Sequence, residues 1–241
     1  MIYKGDKLKE ISFPLGGIGS GSIGLGGDGR LIDWEIFNRP AKGTRNGYSF
    51  IAVKAINDGK VYARVLNGDI KKELTGRYLD REFLGFGYGP EAYTMSGFPH
   101  FSDLTFKGEY PIAELKFSDE KFPGDVGLLA FNPFIPLDDK NSSIPAGFFE
   151  VTFENPEDEE IEYHVAFSLE NPFETSKNVR IEEENFKGAT VSYGGISKDD
   201  LAYGDLTIAT DHTDSDVTSH WFRGSHMDHI VTFWNEFSSL D

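Results

Sequence analysis

Residues 13–40, FPLGGIGSGSIGLGGDGRLIDWEIFNRP, limit what this chain can fold into more than any other stretch. Eight of these 28 residues are glycine: Gly16, Gly17, Gly19, Gly21, Gly24, Gly26, Gly27 and Gly29. Glycine loses more conformational freedom on ordering than any other residue, so this density implies backbone that turns sharply or lies against another segment. Gly26-Gly27-Asp28-Gly29 is a tight-turn signal. Residues 30–37 then read as a strand, with Ile32, Trp34 and Ile36 on one face and Asp33 and Glu35 on the other. The expectation is a glycine-lined strand, a turn, and a second strand carrying Trp34.

Gly19-Ser20-Gly21-Ser22-Ile23-Gly24 also spells G-x-G-x-x-G, the dinucleotide-binding pattern. That pattern works only where it opens a helix whose N-terminus faces the pyrophosphate. The following Leu25-Gly26-Gly27-Asp28-Gly29 cannot carry a helix. A strand and turn are expected, with no nucleotide and no other cofactor.

The remaining chain supports an all-β fold. Asn57-Asp58-Gly59 closes a predicted hairpin over residues 47–66, whose first segment is apolar on both faces and so reads as a strand covered on both sides, with a short buried helix as the alternative. Residues 111–117 and 147–153 alternate. Residues 160–170 alternate most cleanly, with Ile161, Tyr163, Val165, Phe167 and Leu169 facing in. Asn155-Pro156-Glu157-Asp158 is expected to join these last two strands as a hairpin. Residues 67–107, rich in Gly, Tyr and Phe without sustained periodicity, read as a long irregular segment packed against a neighbour. Near the end Ile230, Phe233, Trp234 and Phe237 fall at i, i+3, i+4 and i+7, which predicts a short amphipathic helix. The fold class expected is a large antiparallel two-sheet β-sandwich with long loops and a short C-terminal helix.

Charge and cysteine usage exclude several functions. The formal charge of −17 disfavours nucleic acid and anionic membrane surfaces. No cysteine is present, so disulfides and thiolate metal sites are excluded. The opening MIYKGDKLKE has no apolar core and no run of 18 apolar residues occurs, so no signal peptide or membrane span is expected and the location expected is cytoplasmic. Residues 150–200 hold 14 acids and 4 bases; their alternation with core positions reads as a solvated strand face. His226 and His229 stand at helical spacing, but metal histidines need supporting groups that spacing does not supply, so no metal is expected.

General acid–base chemistry often uses two facing carboxylates. Asp33 and Glu35 are the best local pair, since i and i+2 on a strand share a face about 6.5 Å apart. Asp138-Asp139 and Asp199-Asp200 read as turn acids.

The glycine-rich opening, Ser96-Gly97-Phe98-Pro99, Phe131-Asn132-Pro133-Phe134-Ile135-Pro136, Asn141-Ser142-Ser143-Ile144-Pro145-Ala146-Gly147 and the WFRG…FWNEF segment occur in an order that resembles the N-terminal domain of glycoside hydrolase family 116. The resemblance covers nearly the whole chain. It implies a two-sheet sandwich whose retaining β-glucosidase or glucosylceramidase chemistry resides in an (α/α)6 barrel that follows it. No catalytic residue is then expected within residues 1–241. The chain is expected to be one N-terminal domain that stops before its last strands. The partner implied is a helical catalytic domain of the same or a companion polypeptide, which the sandwich braces and orients. Trp34, Asn38, Arg39, Phe98, Phe233 and Trp234 are the residues expected to meet it, with their apolar members bare in this chain. A stand-alone carbohydrate-binding module, with Trp34 or loop tyrosines stacking on sugar, is the alternative. A self-sufficient glycosidase using Asp33 and Glu35 is the third reading.

Overall fold

Antiparallel strands dominate the computed structural model, which describes residues 1–69, 95, 97–224 and 229–240. The backbone groups into two units. One holds residues 1–45 and 49–167, the other residues 46–48 and 168–239.

The larger unit contains β1 (Ile2–Lys4), a 3-10 turn (Gly5–Leu8), β2 (Ser12–Leu15), β3 (Ser22–Gly26), β4 (Leu31–Glu35), β5 (Phe50–Asn57) and β6 (Lys60–Val65). It continues with β7 (Asp103–Glu109), β8 (Ile112–Ser118), β9 (Asp125–Phe131), a one-turn helix α1 (Asp139–Ser142), β10 (Phe148–Glu154) and β11 (Glu162–Ser168). Hydrogen bonds organise these strands into three sheets, β1-β7-β8-β9-β10, β11-β5-β6 and β2-β3-β4. The all-β, antiparallel class read from the sequence is the one observed, distributed over several sheets.

Period-two alternation builds the core. Ala113, Leu115 and Phe117 of β8 lie opposite Ala130, Leu128 and Val126 of β9, and all six are buried. Phe101 packs on Phe117 and Phe122 with ring centroids 5.5 and 5.2 Å apart. Such cross-strand pairs are the unit of sheet stability, each contributing roughly 0.2–1 kcal/mol. Residues 50–55 of β5 are all buried, as expected of a strand covered on both sides. Asp58 and Gly59 both have positive φ, which is the two-residue hairpin turn that Asn-Asp-Gly predicts.

Gly19–Gly24 runs from a loop into β3 and opens no helix, so the dinucleotide pattern lacks its structural context. Gly29 has φ +86, and a Cβ there would lie 2.9 Å from the Leu66 carbonyl oxygen and 3.0 Å from the Phe117 ring. The turn after β3 therefore requires glycine for both conformation and space.

One expectation is corrected. β10 and β11 do not form a hairpin: β10 pairs with β9, whereas β11 pairs with β5 in another sheet. The two strands meet through side chains instead. Phe153 stacks on Tyr163 at 4.3 Å, and Phe149 meets the edge of Phe167 at 5.4 Å. Alternation identified the inward face of β10, but along β11 Val165 is exposed and His164 and Ser168 are half-buried like Tyr163 and Phe167.

The smaller unit holds β12 (Ser176–Glu182), β13 (Lys187–Tyr193) and β14 (Asp205–Thr210) in one sheet with β13 central, followed by α2 (His229–Phe237). Ala189 and Val191 of β13 are buried. Trp221 stacks on Phe233 at 4.8 Å, and Phe233 on Phe237 at 5.7 Å. Residues 46–48 belong here because Asn46 donates to the Glu170 carbonyl oxygen at 2.6 Å and the Tyr48 N–H donates to the Glu170 carboxylate at 2.6 Å.

Candidate functional site

β4 is not the regular strand its alternation predicts. Ser22 pairs with Glu35 but Gly24 pairs with Ile32, so Asp33 and Trp34 together oppose Ile23 alone. This is a β-bulge, and Asp33 carries it at φ +50, a conformation that aspartate tolerates better than most residues. The bulge rotates the side chains. Leu31, Asp33 and Trp34 are buried and Ile32 is half-buried, which corrects the expected inward face of Ile32, Trp34 and Ile36.

Asp33 is fully engaged. One oxygen accepts from Ser12 Oγ at 2.6 Å and the other from the Gly43 N–H at 2.6 Å. Lys42 Nζ lies 3.4 Å from Asp33 and 2.9 Å from Glu35, and Glu35 also accepts from the Ala41 N–H at 3.2 Å. Burial pushes the Asp33 carboxyl up, but the Ser12 and Gly43 hydrogen bonds and the Lys42 charge outweigh it and hold it below the usual carboxylate range. The hydrogen bond from Lys42, then that from Ala41, lowers Glu35 as well. The structure thus brings the two predicted carboxylates together, and adds the lysine between them that the sequence reading overlooked. A glycosidase acid needs a raised pKa, and both groups here are moved the other way.

A second assembly joins three separate sequence landmarks. Asn132 Oδ1 accepts from the Gly16 N–H at 2.6 Å, and its Nδ2 donates to the Pro14 carbonyl oxygen at 2.8 Å. The Ile18 N–H donates to the Ser142 carbonyl oxygen at 2.9 Å. Ser142 Oγ donates to the Ile135 carbonyl oxygen and accepts from the Ile135 N–H, both at 2.9 Å. Gly17 lies so close to the 143–144 peptide that a Cβ would sit 2.3 Å from the Ile144 carbonyl oxygen. Asn132 and Ser142 are both buried, so these bonds are shielded from competing water. Residues 14–18, 132–135 and 142–144 form one clamped loop cluster.

The residues expected to face a partner are placed unevenly. Trp34 is only 4% exposed and its indole N–H donates to the Leu31 carbonyl oxygen at 3.3 Å, so it is not bare. Trp234 and Ile230 are also buried, while Phe98 and Phe233 are half-buried. Asn38 and Arg39 are exposed, with the Arg39 guanidinium 5.9 Å from the Phe37 ring centroid. The aromatic residues expected over positions 83–94 and His226 lie outside the described residues. Among the described residues no group of three or more His, Cys, Asp or Glu is placed to hold a metal ion, and no helix is long and apolar enough to cross a membrane. An open cleft of about 640 Å³ beside residues 120–125 and 154–157 contains none of the landmark residues.

Comparison with curated proteins gives no match. A family model described as beta-glucosidase 2, glycosyl-hydrolase family 116 N-term, matches residues 12–240, and so contains the glycine-rich opening, the clamped loops and α2 alike. The chain belongs to the N-terminal domain family of glycosyl hydrolase family 116.

Proposed function

We propose that this chain is a non-catalytic domain of a retaining β-glucosidase- or glucosylceramidase-like enzyme, and that it braces and orients the helical domain where hydrolysis takes place. The observation that carries this reading is the pairing of Asp33 and Glu35 with one ammonium group, Lys42. Two carboxylates held ionised in this way supply no proton to a leaving group. Their partners, Ser12 and the 41–43 backbone, instead fasten the β4 bulge to its neighbours.

Burial of Trp34 argues against the sugar-binding alternative, because stacking on a sugar ring needs an open aromatic face. The test is turnover of a chromogenic β-glucoside by this chain, with Asp33→Asn and Glu35→Gln in parallel. No hydrolysis is expected from any of the three. Turnover by the unaltered chain that disappears in either variant would overturn the proposal.

A further inference from the structure

The clamped loops carry a set of side chains that the Asp33 site and the core leave unexplained. Ile18 is 54% exposed, Ile135 50%, Ile144 44% and Leu137 107%. The first three converge through Ser142, which bonds the backbone of Ile135 and accepts from Ile18, while Gly17 lies against Ile144. We propose that Ile18, Ile135, Leu137 and Ile144 form the surface on which this domain docks the catalytic domain of its glycosidase.

Leu137 makes the strongest case. The Asp138 N–H donates to the Ile135 carbonyl oxygen at 3.1 Å, closing a turn with Pro136 in second place and Leu137 in third at φ +67. Glycine or asparagine ordinarily fills that third place, because a side chain at positive φ crowds the following carbonyl. Here a leucine accepts that strain and stays entirely in solvent. It gains no burial within the chain, so its apolar surface has value only against something else.

The neighbourhood extends the same character. Ile112, Phe131 and Phe148 lie opposite one another across β8, β9 and β10, and Ile112 and Phe148 are exposed. Phe131 leads directly into the clamp residue Asn132, and Phe148 follows the 142–147 loop. Soluble monomers rarely carry a contiguous apolar patch beyond a few hundred Å², whereas contacts between domains of one enzyme bury roughly 600–1,500 Å². The four docking residues carry no charge, and charged groups stand at the rim in Asp138, Asp139 and Lys140 of and beside α1, the usual anatomy of an interface.

The other occupants fit this face less well. A second copy would bring another −17 against this one. A sugar would find four aliphatic side chains with no hydrogen-bonding group among them. An apolar face held rigid by Asn132, Ser142 and Gly17 suits a preorganised protein partner, which then loses little entropy on docking. The assignment rests on the bracing role proposed above.

Titration calorimetry of this chain against the separately produced catalytic domain of its glycosidase tests it. Ile135→Asp and Leu137→Gly are each expected to weaken binding at least ten-fold, and Leu201→Asp, at an exposed position in the smaller unit, to leave it unchanged. Leu137→Gly is decisive, because glycine relieves the turn and the variant should melt no lower than the unaltered chain. Undiminished binding by both variants would overturn the surface while leaving the bracing role in place. Failure of the unaltered chain to bind would sink the bracing role and this surface with it. A dimer in light scattering that Ile135→Asp dissolves would assign the patch to a second copy and likewise overturn the proposal.

Discussion

Asn132 holds the glycine-rich opening by both ends of its amide, accepting from the Gly16 N–H and donating to the Pro14 carbonyl oxygen. No other side chain of this size offers an acceptor and a donor in that geometry. Asn132→Asp should therefore be nearly as damaging as Asn132→Ala, since it sets a carboxylate oxygen against the Pro14 carbonyl. Each is expected to lower stability by about 1–3 kcal/mol in urea unfolding, the range for leaving a buried partner unsatisfied. An aspartate variant as stable as the parent would show that the donor half of the clamp contributes nothing.

Gly17→Ala tests the close approach on the other side of the same cluster. Its Cβ would meet the Ile144 carbonyl oxygen at 2.3 Å, and backbone cannot yield as a side-chain tip can. The expected loss is about 1–3 kcal/mol, typical of overpacking. Gly43, with open space around its Cβ position, serves as a comparison: Gly43→Ala should report only the strain of φ +77. Gly17 has no positive φ, so a Gly17→Ala variant as stable as the parent would mean that the close contact there is unimportant.

Asp33→Asn preserves shape and tolerance of the left-handed backbone, and removes charge. Because the folded carboxyl lies below its ordinary value of 3.8, its stabilisation is fully present above that pH and is lost as pH falls through the folded value. The variant should be less stable than the parent at pH 7 by about 1–2 kcal/mol, and the gap should close in thermal melts well below pH 4. A gap independent of pH would assign the effect to geometry rather than charge.

His100 gives a second pH signature of the same sign. Burial, then the charge of Arg30, holds it below 6.5, and its Nε2 lies 3.0 Å from the Met95 carbonyl oxygen, so the neutral ring donates there. A depressed histidine contributes stability present above pH 6.5 and lost as pH falls through the folded value. His100→Gln, which keeps a donor for Met95, should flatten the melting-temperature profile as pH falls below 6.5. An unchanged slope would show that His100 is not the responsive group.

Local rules made much of the fold legible. Alternation in residues 111–117 and 147–153 located inward faces, Asn57-Asp58-Gly59 gave a hairpin, and the Ile230-Phe233-Trp234-Phe237 spacing gave α2. What stayed hidden depended on residues far away in sequence. The bulge at Asp33 exists only against the register of β3, and β11 takes β5 rather than β10 because strand faces do not name strand partners. The landmark order was readable from resemblance, but its physical cause, the convergence of Gly16, Asn132 and Ser142, was not. Lys42 was missed because nothing in a Pro-Ala-Lys-Gly loop announces that it lies between two carboxylates. Leu137 was missed because Pro-Leu-Asp reads as an ordinary turn until its φ is known.

The pairing of β11 with β5 also sets an order of events during synthesis. The β5–β6 hairpin leaves the ribosome early, yet the strand that completes its sheet begins only at Glu162, 97 residues after the hairpin ends at Val65. Until then β5 presents an unpaired edge along a segment destined for full burial, the kind of edge that recruits foreign strands. Contacts this distant in sequence slow folding, and the nascent chain is open to aggregation for that interval. Helper proteins that shield apolar edges should therefore act on ribosome-bound chains whose emerged part ends between residues 65 and 168, and release them once β11 has emerged.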